Sequence, residues 1–205
     1  MAEYRGKRLL DVALVLLAAP LWVPLLAIVA LVVRVKLGAP VFFRQERPGR
    51  HARPFVLVKF RTMTEARGPS GTLLPDAERL TSFGRSLRAT SLDELPELWS
   101  VLRGDMSLVG PRPLLTRYLP LYSDRHRRRH DVRPGITGLA QVSGRNAITW
   151  NQKLDLDVAY VEQCSLALDT RVLWRTLRSV MRREGITAAD AATMPEFTGY
   201  DQPSR

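Results

Sequence analysis

The 205-residue chain has a single cysteine, Cys164, so no intramolecular disulfide can form and the sequence fits a reducing compartment. Lysine is almost as scarce: Lys7, Lys36, Lys59 and Lys153 are the only four among 31 basic residues. The three histidines, His51, His126 and His130, all sit in arginine-rich stretches and read as surface residues. No His/Cys cage, Walker loop or Ser-His-Asp trio can be assembled, which removes the zinc, P-loop and serine-hydrolase chemistries. Internal repeats are absent, and no basic patch is interleaved with aromatics, so a base-stacking platform for nucleic acid is not expected.

What is present is arginine. The chain carries 31 basic against 20 acidic residues, a net +11. A forked guanidinium suits phosphate better than an ammonium does. A positive surplus implies a negative partner: nucleic acid, anionic lipid or a phosphorylated small molecule. The length suits one globular core.

Between Asp11 and Arg34 there are 22 residues without charge, VALVLLAAPLWVPLLAIVALVV. As one helix they would run about 33 Å, enough to cross a bilayer core of about 30 Å. Pro20 and Pro24 lie near the middle and each removes a backbone hydrogen bond. Both flanks are basic: Arg5, Lys7 and Arg8 before the run, Arg34, Lys36, Arg44 and Arg47 after it. A straight span would put one cluster outside, whereas a re-entrant hairpin bent at Pro20 keeps both on the cytoplasmic side. The run is too long for a signal-peptide core and has no small-residue cleavage site, so the anchor is expected to be retained. Asp11 is expected at headgroup depth beside Arg8 or another base.

After the run, Val41 to Arg44 and Phe55 to Phe60 read as strands of a small β-hairpin around a Pro/Gly/Arg turn. TEARGPSGTLLPDAE reads as a loop. Helices are expected near 77–88, 92–103, 114–129 and 151–164, with RPGITGLAQVSGR as a glycine-rich loop. A last helix is expected after Asp169, its possible N-cap. It would place Arg171, Arg175, Arg178 and Arg182 on a stripe opposite Leu173, Leu177 and Val180. A solvated face and a face lying on anionic headgroups both fit that stripe.

Residues 90–99, TSLDELPELW, pose the chemical question. Ser91 and Glu94 fit an S-x-x-E capping box, and acidic residues suit a first turn. Yet Asp93 and Glu94 are adjacent carboxylates in a cation-rich chain. VKFRTM puts Lys59 and Arg61 on one strand face. GPRP holds Arg112 between stiffening prolines. GLAQVSGR offers Gly138, Gln141, Gly144 and Arg145, its glycines permitting close approach to a ligand. Arg88 lies just before the Asp93 segment. Together these supply many cations in a chain that also carries the carboxylate pair.

KRLLD before a proline-broken apolar run, VKFRTM, LDELPELWSVLRGDMSLVGPRP, RPGITGLAQVSGR and LDLDVAYVE, in this order, resemble the bacterial monotopic phosphoglycosyl transferases. The resemblance runs from about Lys7 to Arg183 and is similar to the small form without further domains. It implies transfer of a phospho-sugar from a nucleoside diphosphate sugar, with uridine the expected base, to a membrane polyprenol phosphate in glycoconjugate assembly. The nucleoside monophosphate leaves. It further implies Asp93 as nucleophile forming an aspartyl phospho-sugar and Glu94 as ligand of a Mg²⁺ cofactor. Lys59, Arg61, Arg88, Arg112, Gln141 and Arg145 would bind substrate or phosphate, and Pro20 would be the membrane hinge. Relatives often carry Ser before the hinge proline; here the position is Ala19, so the carbonyl freed by the break needs another donor.

The fold expected is α+β and mainly helical: a re-entrant membrane hairpin over 1–38, one small mixed catalytic domain over 39–187 with a short β-hairpin and interfacial amphipathic helices, and a loosely structured tail over 188–205. The expected location is the bacterial inner membrane, with the catalytic domain on the cytoplasmic face. Expected partners are the nucleotide sugar, polyprenol phosphate and anionic lipids, not nucleic acid. Two other readings stand beside this one. A conventional glycosyltransferase would release nucleoside diphosphate, and a non-catalytic basic module tethered to the membrane would show binding without turnover.

Overall fold

The uncharged run does not form one helix. In the computed structural model, which describes residues 3–144, 148–182 and 196–200, it is divided into α1 (Lys7–Leu17) and α2 (Ala19–Leu37), with the break at Ala18. Pro20 falls in the first turn of α2, where its missing N–H costs nothing, and Pro24 lies inside the helix. The last turn of α1 leaves carbonyls without intrahelical donors. One of them, Val15 O, accepts from the indole Nε1 of Trp22 at 3.0 Å. That indole is a donor no residue spacing pointed to, and it serves the bend that has Ala19 rather than Ser. Trp22→Phe keeps the ring and removes the donor, so it should destabilise the protein by about 1–3 kcal/mol in a denaturant titration. An unchanged midpoint would mean that the carbonyl finds another partner.

Both feet of this broken helix pair stand on the globular part. On α1, Lys7, Asp11 and Val15 recur every fourth residue and form its buried stripe. Lys7 Nζ lies 2.6 Å from Asp169 Oδ2, Arg8 Nη2 donates to Leu102 O at 2.7 Å, and Asp11 Oδ1 accepts from Leu108 N at 3.2 Å. Asp11 is therefore buried against the protein and does not pair with Arg8, which caps carbonyls of Val101 and Leu102 instead. At the other foot, Val29 and Val33 of α2 pack with Phe60 and Leu87. Arg61 donates to the carbonyls of Leu37 and Gly38 where α2 ends. Between the feet, Leu16, Leu17, Leu21, Val23, Leu25 and Ile28 are exposed. α2 is the one described helix long and apolar enough to cross a membrane, with 19 residues and a mean hydropathy of 2.0.

The expected hairpin is formed by β1 (Phe42–Pro48) and β2 (Pro54–Phe60), antiparallel in the register Phe43↔Lys59, Gln45↔Leu57, Arg47↔Phe55. Phe55 and Leu57 bury against Val15, Val101 and Met106, joining the hairpin to the first helix and to α5 (Glu97–Arg103). The helical stretches expected near 77–88 and 114–129 are fragmented: α3 (Asp76–Arg79) and α4 (Ser82–Ala89) in the first, a 3-10 segment Thr116–Leu121, α6 (Asp124–Arg127) and a further 3-10 turn in the second. α4 is capped by Thr81, which accepts from Gly84 N at 2.9 Å.

A second small sheet hides in the loops. β3 (Ser107–Val109) pairs in parallel with β4 (Gly135–Thr137), inside the segment read as a glycine-rich loop, and α7 (Leu139–Ser143) follows. The glycines there serve backbone packing: a Cβ on Gly138 would meet Gly110 O at 2.2 Å, and one on Gly135 would meet Gly110 N at 2.1 Å. α8 (Trp150–Gln163) starts with a Thr149–Gln152 capping box, and α9 (Leu166–Arg182) closes the described core. Asp169 is not the cap of α9: Ser165 Oγ accepts from Leu168 N at 3.3 Å, and Asp169 is buried on Lys7 and Tyr160.

On α9 the arginines Arg171, Arg175 and Arg178 are exposed, as the periodicity requires. The buried side is Leu168 and Val172, while Trp174 and Leu177 are exposed beside the arginines. His126 and His130 are each 7 % exposed, contrary to the surface reading, because Tyr200, Asp155 and Gly49 reach them from distant parts of the chain. Phe197 is buried among Tyr118, Tyr122 and Leu154, so residues 196–200 pack on the core. The rest of the tail from 188 lies outside the described residues.

Candidate active site

The capping explanation of Asp93 and Glu94 does not hold. Ser91 is left-handed (φ 56°) and makes no side-chain cap, so no S-x-x-E box forms. Residues Leu92–Glu94 make a single 3-10 turn, and α5 begins only at Glu97. A non-glycine residue at positive φ is strained, and such strain gathers where a side chain must be aimed.

Lys59 from the end of β2 lies 2.7 Å from Glu94 Oε1, and Arg112 Nη2 from the GPRP loop lies 2.5 Å from the same oxygen. Lys59 also lies 3.1 Å from Glu97 Oε1. Asp93 is 8 % exposed and Glu97 2 %. Burial and the adjacent Glu94 charge push the Asp93 carboxyl up to about 6, against the pull of Lys59, Arg112 and Arg88. Burial would raise Glu94 as well, but Arg112 and Lys59 overcome it and bring it down to about 2. One carboxylate is thus a fixed anion locked between two cations. Its neighbour, less tightly held, keeps the more basic oxygen.

Arg112 is itself braced. Arg129 Nη2 donates to the Arg112 carbonyl at 2.6 Å, and Arg129 is ion-paired at 2.7 Å with the equally buried Asp157. Arg88 Nε donates to Thr62 Oγ1 at 3.0 Å, and its charge reaches Asp93. Lys59, Arg88, Asp93, Glu94 and Arg112 are thereby one cluster. Arg61 is elsewhere, turned to the end of α2, since β2 has ended at Phe60. Gln141 on α7 has both amide atoms buried without a partner. Arg145 lies outside the described residues, and Pro20 is in the bend between α1 and α2.

Glu97 is the member that sequence reading missed. It looked like an ordinary first-turn acid, and the one available signal was its place three residues beyond Glu94. Burial and the Glu94 charge push it up to about 7. A carboxyl raised in the folded state contributes stability that is present below its unfolded value of about 4.3 and lost as pH rises through the folded value. Glu97→Gln removes that loss. Its melting temperature relative to wild type should rise by a few degrees between pH 5 and pH 8, read in paired thermal melts. A difference independent of pH would mean that Glu97 stays ionised.

Among the described residues no three His, Cys, Asp or Glu side chains group to hold a metal ion. Mg²⁺ often takes only one or two carboxylates and completes its shell with water and substrate phosphate. The hard carboxylate oxygens of Glu94 fit that mode better than a closed cage.

Comparison with known families matches residues 2–183 to the model described as bacterial sugar transferase. The chain is 57 % identical over 168 residues to the uncharacterized sugar transferase EpsL of Bacillus subtilis (strain 168), covering 82 % of this chain and 83 % of the relative. It is 42 % identical over 185 residues to the UDP-glucose:undecaprenyl-phosphate glucose-1-phosphate transferase of Caulobacter vibrioides, covering 85 % and 69 %. It is also 38 % identical over 165 residues to the undecaprenyl-phosphate galactose phosphotransferase of Salmonella typhimurium, covering 72 % of this chain and 35 % of that protein.

Proposed function

The chain belongs to the bacterial sugar transferase family and is a phosphoglycosyl transferase; on that premise we propose that it moves a sugar phosphate from a UDP-sugar to a polyprenol phosphate through a covalent intermediate on Asp93. The observation that carries the reading is the division of labour in the carboxylate pair, with Glu94 locked by Lys59 and Arg112 and Asp93 buried beside it. An Asp93 oxygen attacks the phosphorus that bears the sugar. The bond from that phosphorus to the bridging oxygen breaks, and UMP departs with the bridging oxygen. A polyprenol phosphate oxygen then attacks the same phosphorus and frees Asp93.

Lys59, Arg88 and Arg112 offset the charge that builds on the phosphoryl oxygens. Glu94 would hold Mg²⁺ together with the substrate diphosphate. When bound, the ion supplies charge neutralisation of the leaving phosphate.

The anchor reading follows from the two feet of the hairpin. Lys7 stands on Asp169 and Leu37 on Arg61, so both ends of the apolar segment meet one globular body. That supports a re-entrant insertion with the domain on the cytoplasmic face of the inner membrane, the side on which nucleotide sugars occur. Exposed Trp174 and Leu177 beside Arg171, Arg175 and Arg178 suit contact with anionic lipid. The nucleotide product tests the reaction. The full-length protein, given candidate UDP-sugars and undecaprenyl phosphate with Mg²⁺, should release UMP. Release of UDP would instead show a conventional glycosyltransferase.

A further inference from the structure

The β1–β2 register puts Phe43, Gln45 and Arg47 on the same face of the hairpin as Lys59, Leu57 and Phe55. Lys59 serves Glu94 and Glu97, which leaves Arg47 to be explained. Its Nη2 donates to Gln45 Oε1 at 2.6 Å, and its Nε is buried without a partner. No carboxylate among the described residues comes within ion-pair distance of it. The charged and titratable groups that act on it are Arg112 and Glu97 of the reaction centre and Tyr118 and Arg117 on the other side. Burial, then the Arg112 charge, both disfavour its own charge. Arg47 thus stands between the reaction centre and the Thr116–Leu121 segment, in surroundings that an anion would relieve.

On that far side lies a surface pocket of about 260 Å³ lined by Gln45, Glu46, Leu115, Thr116 and Arg117. Gln45, whose Oε1 already accepts from Arg47, keeps its Nε2 as a donor for a pyrimidine carbonyl. A carboxylate accepts from ribose hydroxyls, and a leucine gives an apolar wall. Arg117 is paired with Glu196, but both side chains are more than half exposed. Such a pair is worth about 0–1 kcal/mol, so Arg117 can change partner.

We propose that Arg47, with Arg117, cradles the phosphate that leaves with the nucleoside, and that the pocket lined by Gln45, Glu46, Leu115 and Thr116 receives the nucleoside itself. This rests on the transfer reaction proposed above. In-line displacement places the leaving oxygen opposite the attacking carboxylate, so the leaving phosphate needs cations other than those fixed on the nucleophile's side. Polyprenol phosphate would present a similar phosphate. The pocket's amide, carboxylate and hydroxyl suit a nucleoside and offer an isoprenoid chain little.

Binding to the full-length protein in detergent, followed by calorimetry, separates the two sources. The probes are UMP, ribose 5-phosphate, inorganic phosphate and farnesyl phosphate. Arg47→Gln should weaken UMP and ribose 5-phosphate by about 10-fold or more, as loss of a charged hydrogen-bond donor does, and leave farnesyl phosphate unchanged. Gln45→Leu should weaken UMP and spare inorganic phosphate. Arg47→Lys keeps the charge without the fork; it and Gln45→Leu carry the test if Arg47→Gln lacks a cooperative melt. Weakened farnesyl phosphate with unchanged UMP would give the cradle to the lipid, and UMP binding unchanged in the variants would remove the subsite. UMP release by wild type is read separately, so loss of this subsite leaves the transfer reaction standing.

Discussion

Asp93→Asn should lower turnover by several orders of magnitude in a protein that melts almost as wild type does. The substitution keeps shape and removes the attacking carboxylate. Stability should survive because Asp93 is buried with its proton affinity already raised, so a neutral amide relieves a burdened position. Glu94→Gln is the contrast: it strips Lys59 and Arg112 of a shared partner and should cost both stability and activity. The decisive measurement uses labelled UDP-sugar without polyprenol phosphate. Wild type should hold label on Asp93 and release about one equivalent of UMP, and the Asn variant should do neither. Label on the Asn variant, or none on wild type under rapid quench, would place the nucleophile elsewhere.

The second large effect lies behind the site. Asp157→Ala leaves Arg129 buried without its anion and should cost about 3–5 kcal/mol in a denaturant titration. Because Arg129 also holds the Arg112 carbonyl, the folded fraction should have a reduced kcat/KM, not merely a reduced amount of active protein. Arg129→Lys keeps a charge on Asp157 but loses the fork that reaches two partners at once. It should melt closer to wild type yet share the kinetic defect. A cost below about 1 kcal/mol for Asp157→Ala would mean that water reaches Arg129 freely.

Local chemistry carried some elements, although β1 continues to Pro48, past the Arg44 end that its residues suggest. The β-hairpin and α8 could be read because β-rich runs around a turn and a clean helical stretch act within a few residues. Three-residue strands carry no period, and β4 is a strand only because β3, nearly thirty residues earlier, pairs with it. Asp169 looked like a cap until Lys7 claimed it from the far end of the chain. Arg61 was placed beside Lys59 by strand spacing, but the strand had already ended. Asp93, Glu94, Lys59, Arg88 and Arg112 do gather, whereas Glu97 and Arg47 become visible only once the hairpin face and the α5 turn are brought together.

The feet of the α1–α2 pair also bear on how such a protein can be handled and how it can evolve. Arg8 closes the end of α5, Val15 fills the space between Phe55 and Met106, and Lys7 neutralises Asp169. Trimming the chain to start near residue 38 would not yield a water-soluble enzyme. It would bare an apolar seam and strand a buried carboxylate at the same moment. The apolar segment is for the same reason no interchangeable cassette. Another apolar segment spliced in its place would lack Lys7, Arg8 and Val15, so presenting an apolar surface and completing the interior are inherited together.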